Sequence, residues 1–362
     1  MAGGAAPIAS IVMSSIQGRI GMTVTNPVQR GTRLFLAALC AIVVGGTAHA
    51  ADTIPMKLAT ATVNDVQVEA IKVFAENLEK RSNGRIEAQL FPGAQLGSNP
   101  RMIEGLQLGT IEVYVGPPAY LVGIDERFQV LDTPGIFSDM DHAWRTIRDP
   151  AFRDKFLALG KDKGLIGVSL FIYSPTSYAT REPLRAIEDF KGRKLRVLAS
   201  EMERAATNAL GATAVPIDFS EVVPALERGT IDGMKSGLSA FTAIKVYDVV
   251  KFATLTHEAI IPEVMMVSRS WFERQPPDIQ KMILEEGRAI EPGLHEYTKQ
   301  AQIDAREIWR EHGGELIELS DKDRSEMMAR LAKVADEVFA SKPKVAELYE
   351  LMTRIADKHR SD

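Results

Sequence analysis

Cysteine is nearly absent from this chain of 362 residues: Cys40 stands alone, within the first 50 positions. The remainder therefore has no disulfide, no thiolate nucleophile and no cysteine metal site. Acidic residues are missing from the same 50 positions, where the only basic side chains are Arg19, Arg30 and Arg33. Residues 51–362 thus hold the other 40 basic and all 48 acidic side chains, a net of −8. An acidic body repels phosphate backbones, which argues against nucleic acid as a partner. No Gly-x-Ser-x-Gly elbow, P-loop or G-x-G-x-x-G turn occurs, so the usual signs of nucleophilic hydrolysis and nucleotide binding are lacking. What is present is globular: 45% hydrophobic and 25% charged residues, in a chain long enough for two cores.

The beginning of the chain has a separate logic. Arg30 and Arg33 precede the weakly polar to apolar run Leu34–Thr47, followed by Ala48-His49-Ala50. This layout predicts a secretory signal over residues 1–50, cleaved after Ala50. The run is shorter than the ~20 residues of a comfortable membrane span, so an uncleaved anchor is the lesser alternative. Leu39 stands where a lipoprotein signal needs a small residue, and Met22 serves as a start as well as Met1. The mature protein is expected to work in an exported compartment.

Short strands and helices alternate through the mature chain. Met56–Thr60 reads as a strand, Val66 to Gly84 as a capped helix, and Ile86–Leu90 as a half-exposed strand closed by Pro92-Gly93. A helix from about Pro100 to Gly109 and a strand Thr110–Val115 follow, running into Gly116-Pro117-Pro118. This βαβαβ grammar predicts a largely parallel sheet. It recurs from Lys194–Leu198, with Ser200 and Glu203 as a capping box, and with Ser220 capping a helix that ends at Gly229. The two halves share an echo, Leu106-Gln-Leu-Gly-Thr-Ile-Glu112 and Leu226-Glu-Arg-Gly-Thr-Ile-Asp232, 120 residues apart. It predicts two lobes of like design with a cleft at the carboxyl ends of their strands. After about Pro262 the pattern turns helical, with a break near Pro292-Gly293, a capping box at Ser320 to Asp323 and a last helix from about Pro343 to His359. Asp139, Asp141 and His142 have poor spacing for a metal, and Ser138/Asp139 read as a helix cap, so no metal or cofactor is expected.

At this point a series of segments resembles the DctP-type solute-binding proteins of TRAP transporters. They are Phe91–Gly97, Leu108–Glu112, Leu131–Phe137, Asp189-Phe-Lys-Gly-Arg-Lys-Leu-Arg-Val197, Phe219–Val222 and Ala225–Gly233, all in the family's order. The resemblance implies an α/β, two-lobed periplasmic binding protein of type II-like design with hinge strands and extra C-terminal helices. The lobes would be 51–173 plus 262–301 and 174–261 plus 302–362. It implies capture of a small organic acid between the lobes and delivery to the small and large membrane subunits of a TRAP permease, with no catalysis. An organic-acid sensor is the alternative and an exported hydrolase the weakest reading. A monomer is expected, with a dimer through the C-terminal helices left open.

The resemblance also implies that Arg196 pairs with the ligand carboxylate, for which a planar, permanently charged guanidinium is suited. Strand-end loops are expected to supply the rest: Asn64 as a polar contact, Pro117, Phe219 as a stacking ring, and Ser236 in place of the family's asparagine. His257 matches a family histidine that borders the cleft or is structural. Where the family shows glutamine, glutamate, asparagine and proline stand Met234, Lys235, Ser236 and Gly237. Lys235 is either a second cation or solvent-facing. No arginine occurs in Tyr173–Thr176, where many members have one, so Tyr173, Phe219 and Met234 point to a monocarboxylate with an apolar or aromatic body.

Overall fold

Ten strands and the helices between them make up the described residues, 53–360, of this computed structural model. The signal-peptide reading over 1–50 lies outside the described residues. The strands are β1 (Ile54–Thr60), β2 (Ile86–Phe91), β3 (Val113–Gly116), β4 (Leu165–Thr180), β5 (Lys194–Val197), β6 (Thr213–Pro216), β7 (Gly233–Gly237), β8 (Phe252–Leu255), β9 (Ile260–Ser268) and β10 (Glu315–Glu318). Their order is β2-β1-β3-β9-β4-β7-β5-β6, with β8 on β4 and β10 on β8. The sequence points to a largely parallel sheet; the structure shows a mixed one. The triplets β2-β1-β3 and β6-β5-β7 are parallel within themselves, while β3 meets β9, and β7 meets β4, antiparallel.

The two long strands β4 and β9 pair with each other and pass between the triplets. This is where the expected helical turn after Pro262 is corrected: strand continues to Ser268, and the helix starts at Arg269. Proline is tolerated in such a strand at an irregularity in the ladder, and the register shifts between Ile172 and Ser174, opposite Pro262 and Ile261.

The sequence echo is a structural repeat. Gly109 and Gly229 both adopt left-handed backbone (φ 75° and 67°). Their N–H groups donate to Leu106 and Leu226, and the following Thr110 and Thr230 N–H groups donate to Gly105 and Ala225. The acidic residue then does equal work in each half. Glu112 accepts from the Lys57 N–H at 2.7 Å and Asp232 from the Lys194 N–H at 2.8 Å, each on the neighbouring parallel strand. The strands themselves begin later than the sequence implies, at Val113 and Gly233. Asp218, rather than Ser220, caps the turn that leads into helix Val222–Glu227. At the far end, helix Pro343–Lys358 packs back on helix Met140–Arg148, where the His142 ring nitrogen lies 2.7 Å from the Ala356 carbonyl. Asp139 caps that 140–148 helix, as expected. No helix among the described residues is long and apolar enough to cross a membrane.

Candidate functional site

The carboxyl ends of both strand triplets open on one cavity with about 360 Å³ of space not filled by atoms, its mouth included. Thr62 follows β1, Pro117 follows β3, Leu198 follows β5, and Phe219 follows β6, so short strands ending in loops place each wall residue. The crossing strands supply Tyr173 from β4 and Ile261 and Glu263 from β9.

Arg196 of β5 is fully buried at this cavity. Its Nε donates to the Ile217 carbonyl at 3.0 Å and one terminal nitrogen donates to the Tyr120 hydroxyl at 2.5 Å. The other terminal nitrogen, Nη1, is buried and has no partner among the described residues. The Phe219 ring lies 5.7 Å from the guanidinium carbon, within cation–π range. No acidic side chain forms an ion pair with Arg196 among the described residues, so its charge is available to a ligand. Burial pushes the Tyr120 phenol up to about 12 against the opposing field of Arg196, so Tyr120 stays a neutral hydroxyl.

The two echoed helices meet at this cavity through Asp218. One of its oxygens accepts from the backbone N–H and side-chain amide of Asn99, at 3.1 and 3.0 Å; the other accepts from the Ser220 N–H and hydroxyl. Burial alone would raise its pKa, but these hydrogen bonds outweigh burial and hold the carboxylate below its ordinary range. Asn99 in turn accepts from the Tyr114 hydroxyl at 2.8 Å.

Of the sequence-derived site residues, Arg196, Pro117, Tyr173, Phe219 and Ser236 lie together on this cavity. Asn64, Met234 and His257 do not. Asn64 is exposed, with φ 52°, and its left-handed backbone makes the turn before the helix at Val66. Met234 shares a strand face with Ser236, but lies one pleat back from the carboxyl end and is fully buried in the core. His257 has φ 51° and lines a separate open cleft with Pro175, Asp139 and Lys299. Beyond Ser236, Gly237 permits the close approach of β7 to β4: a Cβ there would lie 2.2 Å from Ser174. Among the described residues no group of three histidine, cysteine or acidic side chains is placed to hold a metal.

Sequence reasoning missed Tyr120, Asn99, Gln67 and Glu263, all of which line the cavity. Glu263 had a legible signal, a lone charge inside the apolar run Ile260–Val267. Tyr120, Asn99 and Gln67 had none, since their roles rest on long-range contacts.

Lys235 neither faces solvent nor joins the cavity. It points to the opposite side of β7, where it is 2% exposed and pairs with Glu203 at 3.0 Å and Glu258 at 3.3 Å. The Glu203 side chain is therefore spent on this pair, and Ser200 alone caps helix Glu201–Ala209. Nearby Asp132 is buried, and its carboxyl is pushed up to about 8, first by burial and then by Glu203, against Lys235 and Ser200. An acid whose folded pKa lies above its unfolded value binds more protons when folded, so stability falls as pH rises from 3.8 towards about 8. Asp132→Asn is expected to flatten the fall of thermal stability across that window, checked by melts at stepped pH.

Residues 59–342 match the model of the DctP family, bacterial extracellular solute-binding protein, family 7. The 2,3-diketo-L-gulonate-binding periplasmic protein YiaO of Escherichia coli K12 is 29% identical over 298 residues, spanning 80% of this chain and 88% of the relative. Among solved structures, the sugar acid binding protein DctPAm of Advenella mimigardefordensis, in complex with galactonate, superposes with a TM-score of 0.81 at 25% identity. That match covers 85% of this chain and 99% of the other. A TRAP periplasmic solute binding protein of Desulfovibrio salexigens with bound orotic acid gives 0.78 at 26% identity, covering 84% and 100%. The triplet-and-crossing-strand fold and the family match over most of its length agree: the chain belongs to the DctP family of bacterial extracellular solute-binding proteins, family 7.

Proposed function

We propose that the mature protein works in the periplasm, after removal of residues 1–50, and captures a small carboxylate in the Arg196 cavity for delivery to the membrane subunits of a TRAP permease. The observation that carries this reading is Arg196 Nη1, a buried cationic donor on the cavity wall with no partner among the described residues. A buried charge without a counter-ion is costly, and an incoming carboxylate supplies the missing charge and acceptor together. Relatives whose names or bound ligands are 2,3-diketo-L-gulonate, galactonate and orotic acid support an acidic solute. In this reading the lobes are 51–173 plus 262–301 and 174–261 plus 302–362, and the last helix returns to pack on helix 140–148 of the first. β4 and β9 act as the hinge strands. The Arg196–Tyr120 and Asn99–Asp218 bonds join the lobes, so they form on closure and break on release.

The proposed role is binding without turnover, in keeping with a family of binding proteins. Native mass spectrometry of protein purified without dialysis is expected to show one small acid per chain, released unchanged on denaturation. A chemically converted product would overturn the non-enzymatic part of the reading, and tight retention of an uncharged sugar would overturn the carboxylate part.

A further inference from the structure

Arg196 is not the only unsatisfied group at the cavity. Glu263, fully buried on β9, is lined up with it there; its Oε1 accepts from the Gln67 side-chain amide at 3.0 Å, and its Oε2 is buried with no partner among the described residues. Four other buried glutamates are each paired with a cation. Glu203 and Glu258 share Lys235, Glu286 has Arg81 at 2.7 Å, and Glu291 has Arg153 at 2.6 Å. Glu263 has no such cation among the described residues, and it lies in the field of Asp65.

We propose that Glu263 stands as a neutral carboxylic acid whose Oε2–H donates a hydrogen bond to a hydroxyl or keto oxygen of the bound acid, making it a specificity-determining residue of the site. The inference rests on the carboxylate reading of the cavity and names the second group its ligand must carry. Burial, then Asp65, pushes the Glu263 carboxyl well above its ordinary range, against the Gln67 bond, which agrees with the geometry. The titratable groups that face it are Asp65 just before the adjoining helix, Tyr114 on β3, Tyr120 in the turn after β3, and Tyr173 on β4. Asp65 is itself held up at about 6 by burial, against bonds from Thr62, Tyr173 and the Val68 and Gln67 N–H groups.

Neither an ammonium nor a second carboxylate suits this spot. An ammonium brings three donors, whereas Oε2 is the one unpartnered oxygen among the fully buried side-chain atoms of the described cavity lining. A second carboxylate would sit beside Asp65, with no cation there to balance it, and like charges are strongly disfavoured where water is excluded. A hydroxyl or keto oxygen needs only the single donor that Glu263 offers.

The test compares acids that differ only in that oxygen, by titration calorimetry at neutral pH. The pairs are 4-hydroxybutyrate against butyrate, 4-oxopentanoate against pentanoate, and mandelate against phenylacetate, which vary the span between the two polar ends. In at least one pair the oxygenated acid is expected to bind wild-type protein about 10- to 100-fold more tightly, the scale of one buried hydrogen bond left unmade. Glu263→Leu is expected to erase that ratio. If it instead weakens both members equally, Glu263 only positions Gln67 and the proposal falls. Tighter binding of 4-aminobutyrate or succinate than of 4-hydroxybutyrate would also overturn it. The near-isosteric Glu263→Gln keeps the Gln67 contact and gives a readout that needs no ligand. The infrared difference spectrum, wild type minus Glu263→Gln at neutral pH, is expected to show a protonated-acid carbonyl band; a carboxylate band overturns the proposal. Arg196→Ala separates the two readings. Loss of all acids in that variant, with no effect of Glu263→Leu on the ratios, sinks this inference and leaves the cavity assignment standing. If wild-type protein binds no acid in the panel, both fall.

Discussion

Arg196→Ala is expected to weaken binding of the protein's acid by roughly 30-fold to several thousand-fold, the consequence of removing one partner from a buried, hydrogen-bonded charge pair worth about 2–5 kcal/mol. The size follows from the setting. Arg196 is fully buried, its guanidinium is bonded to the Ile217 carbonyl and the Tyr120 hydroxyl, and Nη1 has no partner among the described residues. The Ile217 bond lies within one lobe and holds the guanidinium before a ligand arrives, so little side-chain freedom is lost on binding, and the Tyr120 bond is added on closure. Arg196→Lys is expected to recover only part of the affinity, because an ammonium cannot brace against both protein acceptors and still present a planar donor. Calorimetry with the acid found by native mass spectrometry, alongside circular dichroism to confirm folding, checks both variants. Unchanged affinity in folded Arg196→Ala would remove the site assignment.

A second large effect is expected away from the cavity. Lys235→Met should cost about 3–5 kcal/mol of stability, the usual result of stranding buried charge. For a chain of this size that corresponds to a fall in melting temperature of roughly 5–8 °C. Glu203 and Glu258 both rely on this one ammonium, and Glu258 also accepts from the Thr176 and Tyr178 hydroxyls at 2.6 and 3.2 Å. Burial would raise the Glu258 pKa, yet the field of Lys235 and the Thr176 and Thr256 bonds hold it below its ordinary range. Without Lys235 those hydroxyls are left oriented around a carboxyl that must take up a proton or stay buried and charged. Adding Glu203→Gln to Lys235→Met should restore part of the loss, since one of the two stranded carboxylates is then neutral. Thermal melts of the single and double variants decide the matter; a single variant as stable as wild type would show that the cluster adds no stability. Because Lys235 lies on the far side of β7 from Ser236, the lesion differs from that of Arg196→Ala, with stability lost and the cavity wall left in place.

These two lysine and arginine positions show why part of the site was legible in sequence. Arg196 falls in a run, Asp189 to Val197, whose order of residues resembles a family strand, and the resemblance carried the role proposed for it. Lys235 fell in a segment that departs from the family's pattern, and the residue alone did not reveal whether it met water, ligand or another side chain. Its partners come from helix 201–209 and from the loop between β8 and β9, 32 and 23 positions away. Glu203 is instructive for the same reason. Its spacing from Ser200 fits a capping box, but a buried ammonium competes for its carboxylate and wins.

Local chemistry is what the amino-acid order determined by itself. The alternation of strands and helices, the left-handed glycines at 109 and 229, the Asp139 and Ser320 caps and the last helix all depend on residues a few positions apart, so their pattern is visible along the chain. The internal echo belongs here as well, because helix stop, glycine and acidic residue are contiguous. Tertiary structure decided what lies far apart in sequence. It set β4 and β9 antiparallel across both triplets, brought Tyr120 to Arg196 and Asn99 to Asp218, and left Glu263 without a cation. It also moved Asn64, Met234 and His257 off the cavity, since strand depth and loop direction select which residues of a strand-end motif reach it. Burial is the physical reason throughout: a polar side chain taken from water must find its partner wherever the fold places one.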